Sequence, residues 1–108
     1  MNSSIFLVFA ILSEVLGTTC LKLSRGFTET LPTLGVVAFY GSAFYLLSLA
    51  LREVEVGVAY AVWSGAGTAL IALIGIAFFG EGVSFVKVGS LLLLITGVVG
   101  LNLSGGMH

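Results

Sequence analysis

Long runs without charged residues dominate the chain. No Lys, Arg, Asp or Glu occurs between Thr30 and Leu51, between Val56 and Gly80, or from Val88 onward. Each run approaches the roughly 20 residues that a helix needs to cross about 30 Å of hydrocarbon. None alternates between polar and apolar positions as β-barrel strands do. The pattern predicts an all-α membrane protein with a single four-helix domain over residues 1–108, with transmembrane helices at residues 4–22, 32–51, 57–79 and 86–103.

Short connections between these helices hold nearly all of the charge. The first connection contains Lys22, Arg25 and Glu29, and Thr30 after it is a candidate cap for the second helix, with Pro32 in the first turn. The first and third connections lie on one side of the membrane and carry three basic residues, whereas the opposite side carries only Arg52. The positive-inside rule places the first and third connections in the cytoplasm by a small margin. Such a margin is compatible with insertion in both orientations, and one fixed orientation stays open.

Glu14 is the exception, because it lies near the middle of the first apolar run. An ionised side chain there costs about 2.5–3.5 kcal/mol on insertion scales, so intramembrane acids are usually functional. We therefore expect Glu14 to bind a proton or a cation. Ala10, Gly17 and Thr18 share its helix face and leave room for a ligand. The alternatives are close helix packing by these small residues and a hydrogen-bonded carboxyl without a transport role.

Aromatic residues form one face of the third predicted helix. Tyr60, Trp63, Ser64 and Gly67 fall at positions i, i+3, i+4 and i+7. Aromatic faces attract weakly hydrated cations, so this face is a candidate cation pocket. For Trp63 alone, a place in the aromatic belt at the membrane interface is an equally good interpretation. On the second helix Tyr40 and Phe44 share a face, which alone indicates ordinary packing.

Glycines mark two further features. Gly65 and Gly67 predict a flexible or kinked centre of the third helix, which would serve as a conformational hinge. In the fourth helix close approach of a partner helix is expected at a seam of small and branched residues. The seam comprises Ser90, Leu93, Leu94, Gly97 and Val98.

Several function classes are excluded by what the sequence lacks. It contains no phosphate-binding loop, so ATP is not expected to supply energy. Its one histidine, His108, and its one cysteine, Cys20, form no metal cluster or catalytic set, and we expect no enzyme activity, metal or cofactor. No basic patch suits nucleic acid. Membrane lipid and small cations are the expected partners.

Four stretches of the chain form a specific set of motifs in their order and spacing. Residues 10–19, 22–28, 57–67 and 78–80 read AILSEVLGTT, KLSRGFT, GVAYAVWSGAG and FFG. Together they resemble the small multidrug resistance family of bacterial proton-coupled exporters. The resemblance covers essentially the whole chain. It implies a homodimer of two oppositely inserted copies in the bacterial inner membrane, with the seam on the fourth helix. It also implies that Glu14 of both copies binds either protons or the substrate cation, that Tyr60 and Trp63 line the pocket, and that Tyr40 lies at its edge.

Within this family the chain resembles the exporters of hydrophobic and quaternary ammonium cations. Guanidinium exporters, the alternative branch, tend to carry Trp at the position of Gly17. The sequence departs from the quaternary ammonium branch at four positions, where Tyr, Ser, Pro and Gly are usual. These departures are Ser4, Ala43, Glu55 and Ser90.

Two other classes of membrane protein stay open on the residues alone. A proton-translocating rotor subunit also places one acid in a helix, but it is usually a two-helix hairpin in a large ring and needs no aromatic pocket. An accessory membrane protein would bind no cation, and replacement of Glu14 would leave its function intact.

Overall fold

Four α-helices joined by short turns make up the computed structural model of the chain. The structure describes residues 3–104, without the side chain of Asn102, so Met1, Asn2 and residues 105–108, including His108, lie outside the described part. The four helices match the predicted ones to within one or two residues at each end. They are α1 (Ser3–Leu23), α2 (Thr30–Ala50), α3 (Val56–Phe78) and α4 (Phe85–Leu103).

The helices have the length and surface of membrane-spanning segments. By length and composition α1, α2 and α3 can each cross a bilayer, whereas α4 has a shorter apolar stretch, Phe85–Leu101. Large apolar side chains point outward on every helix, among them Phe9, Val37, Leu73 and Leu93. A water-soluble monomer rarely exposes so much continuous apolar surface, whereas lipid accepts it.

The start of α2 differs from the expectation for Thr30. Glu29 occupies the N-cap position without a side-chain capping bond, and Thr30 is already the first helical residue. The capping role expected of Thr30 is therefore wrong, because the preceding turn carries the chain into the helix one residue earlier. In that turn the backbone N–H of Glu29 donates to the carbonyl of Ser24 at 3.1 Å. Pro32 lies in the first turn as expected, where its missing N–H costs little.

The turn between α1 and α2 is organised around Ser24, whose side chain is fully buried. Its Oγ donates to the carbonyl of Leu21 at 2.7 Å and accepts from the N–H of Phe27 at 3.1 Å. Arg25, Gly26 and Phe27 follow with φ values of 50°, 71° and 67°. This left-handed region is uncommon for residues other than glycine, so the hydrogen bonds of Ser24 hold the turn in place.

The connection between α3 and α4 is closed by a glycine turn and a serine cap. Gly80 has a φ of +67°, and the turn brings the N–H of Glu81 to 3.0 Å from the carbonyl of Gly75. The Oγ of Ser84 accepts from the N–H of Lys87 at 3.0 Å, which caps α4 at its start. Because of this cap α4 begins at Phe85, one residue before the predicted start.

The described chain forms two compact units, one ending at Glu53 and the other beginning at Val54. Each unit is a pair of helices, α1 with α2 and α3 with α4. The expectation of one domain stays a prediction.

In the first unit α1 and α2 pack antiparallel at glycine positions. A Cβ placed on Gly17 would lie 2.8 Å from Cδ1 of Tyr40 and 3.3 Å from Cβ of Phe39, and one placed on Gly35 would lie 2.7 Å from Sγ of Cys20. Glycine is thus required where α1 and α2 come closest, as is common for helices in membranes.

In the second unit α3 and α4 also run antiparallel. A Cβ on Gly65 would lie 2.8 Å from Cγ2 of Val98, so this glycine packs against the partner helix. The helix α3 is continuous through Gly65 and Gly67, and both residues are buried. Their expected role as a hinge stays a prediction.

We predict that Gly17→Ala lowers the thermal stability of the protein in detergent. The added methyl group must displace the ring of Tyr40, and overpacking of this kind costs about 1–3 kcal/mol. The gain in helix propensity offsets at most about 1 kcal/mol of this cost. Thermal unfolding followed by circular dichroism measures the difference.

Gly41→Ala is the matched control, because a Cβ on Gly41 meets no atom within 4 Å. It gains the helix propensity without the clash, so its stability should be unchanged or slightly higher. If Gly17→Ala were as stable as Gly41→Ala, the close contact with Tyr40 would not be a constraint.

Candidate functional site

Glu14 lies near the middle of α1 with a half-buried side chain. One turn further along the helix, Oγ1 of Thr18 donates a hydrogen bond to Oε1 of Glu14 at 2.9 Å. The same Thr18 oxygen lies 2.7 Å from the hydroxyl of Tyr40 on α2. The carboxyl, the threonine hydroxyl and the phenol therefore form a continuous polar chain from α1 to α2.

The charge of Glu14 has little compensation inside its own helix pair. α2 contains no acidic or basic residue, and α1 contains only Lys22 besides Glu14. The basic residue nearest to Glu14 along its own helix is Lys22, two turns away. Thr18 donates a hydrogen bond to one oxygen of the carboxylate, and an ionised carboxylate has further lone pairs that can accept a proton or contact a cation.

Two small residues on the face of Glu14 take part in helix packing. Ala10 is fully buried, and Gly17 is buried beneath Tyr40. Thr18 stays half-buried and holds the hydrogen bonds described above. That Ala10, Gly17 and Thr18 contact a substrate stays a prediction.

A second polar contact joins the two helices beside Glu14. The Oγ of Ser13 donates to the backbone carbonyl of Phe39 at 2.8 Å. Sequence reasoning missed this contact, and it missed the bond between Thr18 and Tyr40. The hydroxyl of Thr18 at position i+4 from Glu14 was a usable signal, but its partner on α2 depends on the register of the helix pair.

The predicted aromatic pair occurs on α3. The rings of Tyr60 and Trp63 lie with their centroids 6.4 Å apart and their planes at 69°, an edge-to-face arrangement. Tyr60 is two-thirds exposed and Trp63 is half-buried. Because Tyr60 is so exposed, its ring is accessible to a cation, and aromatic rings attract cations.

A groove of about 480 Å³ runs between α3 and α4. Ser64 and Thr68 contribute hydroxyl groups to an otherwise apolar lining. Predicted pocket, hinge and seam residues meet here, with Ser64 and Gly65 on one side and Leu93, Leu94, Gly97 and Val98 on the other. Ser90, the fifth predicted seam residue, does not line the groove and is exposed.

The remaining candidate positions are spread over both units. Phe44 is exposed on α2, one turn from Tyr40. Among the departures from the family pattern, Ala43 is fully buried, and Glu55 is the N-cap of α3 without a side-chain bond. The structure thus brings Glu14, Gly17, Thr18 and Tyr40 together in the first unit, and Tyr60 with Trp63 in the second.

Comparison with known proteins gives a consistent assignment. The sequence model described as "Small Multidrug Resistance protein" matches residues 2–94. An uncharacterized membrane protein, YvaE, of Bacillus subtilis is 52% identical over 92% of this chain and 83% of its own length. Multidrug resistance protein EbrB of Bacillus atrophaeus is 50% identical over 96% and 89% of the two chains. Quaternary ammonium compound-resistance protein QacF of Klebsiella aerogenes is 48% identical over 95% and 94%. The chain, with its four transmembrane helices, belongs to the small multidrug resistance family.

Proposed function

We propose that the protein exports hydrophobic and quaternary ammonium cations across the bacterial inner membrane in exchange for protons. The observation that carries this proposal is the half-buried carboxyl of Glu14, which lies near the middle of an apolar helix and accepts a hydrogen bond from Thr18. Relatives named for multidrug and quaternary ammonium resistance support it. Proteins of this family are transporters, and the chain is one of them rather than an enzyme.

Exchange follows from competition for a single negative charge. A proton and an organic cation each neutralise Glu14, and the cost of burying the bare carboxylate disfavours leaving it without either. If the site opens to one side of the membrane at a time, protons entering from the acidic side displace the cation there. Inward proton flow then drives the cation outward.

The aromatic pair supplies affinity for the apolar body of the substrate. Tyr60 and Trp63 offer ring faces and edges, and quaternary ammonium groups are cations that such rings recognise. In the proposal these rings bind the apolar body of the substrate cation. Phe44 and Ser64, both exposed, are further candidates for contact with the substrate.

The packing at Gly17 favours the hydrophobic-cation branch over guanidinium export. Guanidinium exporters tend to carry Trp at this position, and here even one methyl group would press on the ring of Tyr40. The arrangement of α1 and α2 therefore leaves no space for the indole of that branch.

A homodimer with oppositely inserted subunits is the proposed working unit. None of the described residues of α4 is buried, and Gly97 has open space where a Cβ would be, so a second copy can approach this helix closely. The two faces of the membrane differ by only three basic residues against one, which is a weak signal for a fixed orientation.

We predict that the purified protein binds tetraphenylphosphonium and releases protons as it does so. Glu14→Gln and Glu14→Ala should abolish both signals, because each removes the charge for which proton and cation compete. Glu14→Asp should keep part of the binding with an altered dependence on pH. Since protons compete with the cation, affinity in the unchanged protein should fall as the pH is lowered. Isothermal titration calorimetry in buffers of different ionisation enthalpy measures both quantities.

Glu53→Gln is the control for this experiment, because it removes an exposed carboxyl from the turn after α2. It should bind the cation as the unchanged protein does. Unchanged binding in Glu14→Gln would end the competition mechanism.

Trp63→Ala should weaken bulky aromatic cations more than it changes proton binding. Contact with an aromatic face is worth about 0.5–2 kcal/mol, so affinity should fall by roughly 2- to 30-fold. Phe78→Ala, which removes a largely exposed ring from the end of the same helix, should leave affinity unchanged. Equal affinities of the two variants in a binding titration would place Trp63 in an interfacial belt rather than in the pocket.

Orientation should be easy to change if both orientations occur. Two or three Lys residues added to the turn at residues 52–57 should fix one orientation, and the same addition at residues 80–87 should fix the other, because cytoplasmic loops retain basic residues. Each fixed form alone should transport poorly, and co-expression should restore transport. Additions of Gln at the same places serve as controls. Full transport by each fixed form alone, or a C-terminal tag accessible from one side only, would contradict the antiparallel dimer.

A further inference from the structure

We infer that, through the hydroxyl of Thr18, the hydrogen bonding of the Tyr40 phenol depends on whether Glu14 holds a proton or a substrate cation. Thr18 is in this view a positioning residue between the binding carboxyl on α1 and a phenol on α2. The inference rests on the proposed function of Glu14 and adds to it a means of telling the two competing ligands apart.

The direction of the hydrogen bonds follows from the number of protons available. A threonine hydroxyl carries one proton and can donate it once. When Glu14 is ionised it can only accept, so Thr18 donates to it across 2.9 Å. In the 2.7 Å hydrogen bond between Thr18 and Tyr40, the phenol of Tyr40 must then be the donor. The chain runs from Tyr40 through Thr18 to Glu14.

Protonation of Glu14 allows the chain to reverse. The carboxylic acid then has a proton to donate, and Thr18 can accept it and turn its own hydroxyl toward Tyr40. Tyr40 becomes the acceptor in this bond, and its own O–H group can then donate to another partner. The one proton added is the proton on Glu14. The hydroxyls of Thr18 and Tyr40 rotate about their C–O bonds, and their O–H bonds stay intact.

A bound organic cation has a different effect. It neutralises the charge of Glu14 by proximity, while the carboxylate stays ionised and continues to accept from Thr18. Tyr40 therefore continues to donate. Proton and cation occupy the same site with the same formal charge, but only the proton reverses the chain at Tyr40.

Tyr40 is placed where such a change reaches the packing of the two helices. Its ring lies on Gly17, and the carbonyl of the preceding residue, Phe39, accepts from Ser13. A change in the bonding of the phenol thus acts at the closest contact between α1 and α2. When the phenol turns to a different hydrogen-bond partner, the contact between Tyr40 and Gly17 would change, and this would occur in the proton-bound state alone.

Few titratable groups other than Glu14 lie on α1 and α2, where their protonation could change the hydrogen bonding of Tyr40. α2 has no acidic or basic residue, and its second tyrosine, Tyr45, is largely exposed. On α1 the thiol of Cys20 lies against Gly35, and Lys22 is at the end of the helix, two turns from Glu14. Glu14 is the one carboxyl residue within α1 and α2, so it is the carboxyl of these helices that can change the hydrogen bonding of Tyr40.

The test follows the ¹³Cζ resonance of Tyr40, which senses the bonding of the phenol, in full-length protein labelled at its tyrosines. Tyr40→Phe assigns the signal. The resonance should move with pH, with the same midpoint as the pH dependence of tetraphenylphosphonium binding. At a pH above this midpoint, saturation with tetrapropylammonium, which has no aromatic ring currents, should leave the resonance near its deprotonated position. A shift to the protonated position on adding this cation would overturn the inference.

Variants of Thr18 separate this role from simple packing. Thr18→Val keeps the shape of the side chain but has no hydroxyl, so the Tyr40 resonance should become insensitive to the titration of Glu14. Thr18→Ser keeps the hydroxyl and should restore the response of Tyr40.

Thr19→Val is the matched control, because the neighbouring hydroxyl bonds to the carbonyl of Val15 in its own helix at 2.9 Å. It should behave as the unchanged protein does. If Thr18→Val also behaved so, or if Tyr40 still followed the titration in that variant, the inference would be wrong.

Failure of the inference can be told from failure of the proposed function. Glu14→Gln should abolish cation binding and the titration of Tyr40 together. If cation binding survived in Glu14→Gln, the proposed function itself would be at fault. If binding were lost there while Thr18→Val matched Thr19→Val, Glu14 would keep its role and only the part of Thr18 would be lost.

Discussion

The cost of an ionised carboxyl inside a membrane is the constraint on which the rest of this protein depends. Placing a charge near the centre of α1 costs about 2.5–3.5 kcal/mol, and one hydrogen bond from Thr18 recovers only part of it. A bound proton or a counter-charge removes the rest of this cost. A site of this kind suits the proposed exchange, because one ligand leaves at lower cost when the other takes its place.

The close approach of α1 and α2 places a polar group of α2 next to the partner of this carboxyl. The hydroxyl of Tyr40 reaches Thr18 because the ring lies on Gly17, where any side chain would be in the way. A second glycine, Gly35, accommodates Cys20 nearer the turn. Lipid offers no hydrophobic drive for helix association, so close packing and hydrogen bonds between the helices must supply it. The glycines and the polar chain are thus two parts of one contact.

The sequence predicted those features that lipid imposes directly. Helix number and bounds follow from the lengths of the uncharged runs, and Glu14 stands out because a charge there is costly. The hydrogen bond from Thr18 could have been expected from its place one turn after Glu14. The contacts with Tyr40 and Phe39 could not, because they depend on the register between two helices. Helix starts at Thr30 and Phe85 also depend on local turn bonds, those of Ser24 and Ser84, which hydrophobic pattern does not encode.

The two helix pairs differ in a way that matches a division of tasks. The first pair carries the intramembrane charge and a polar chain that joins its helices. The second has a groove with an apolar lining interrupted by Ser64 and Thr68, and a helix, α4, without buried residues in its described part. A helix so open must be covered by lipid or by protein. Lipid tails and leucine side chains are equally apolar, so the choice depends on how closely a partner can approach. Gly97 permits such an approach, which is why the proposed second copy is a better match for this surface than lipid alone.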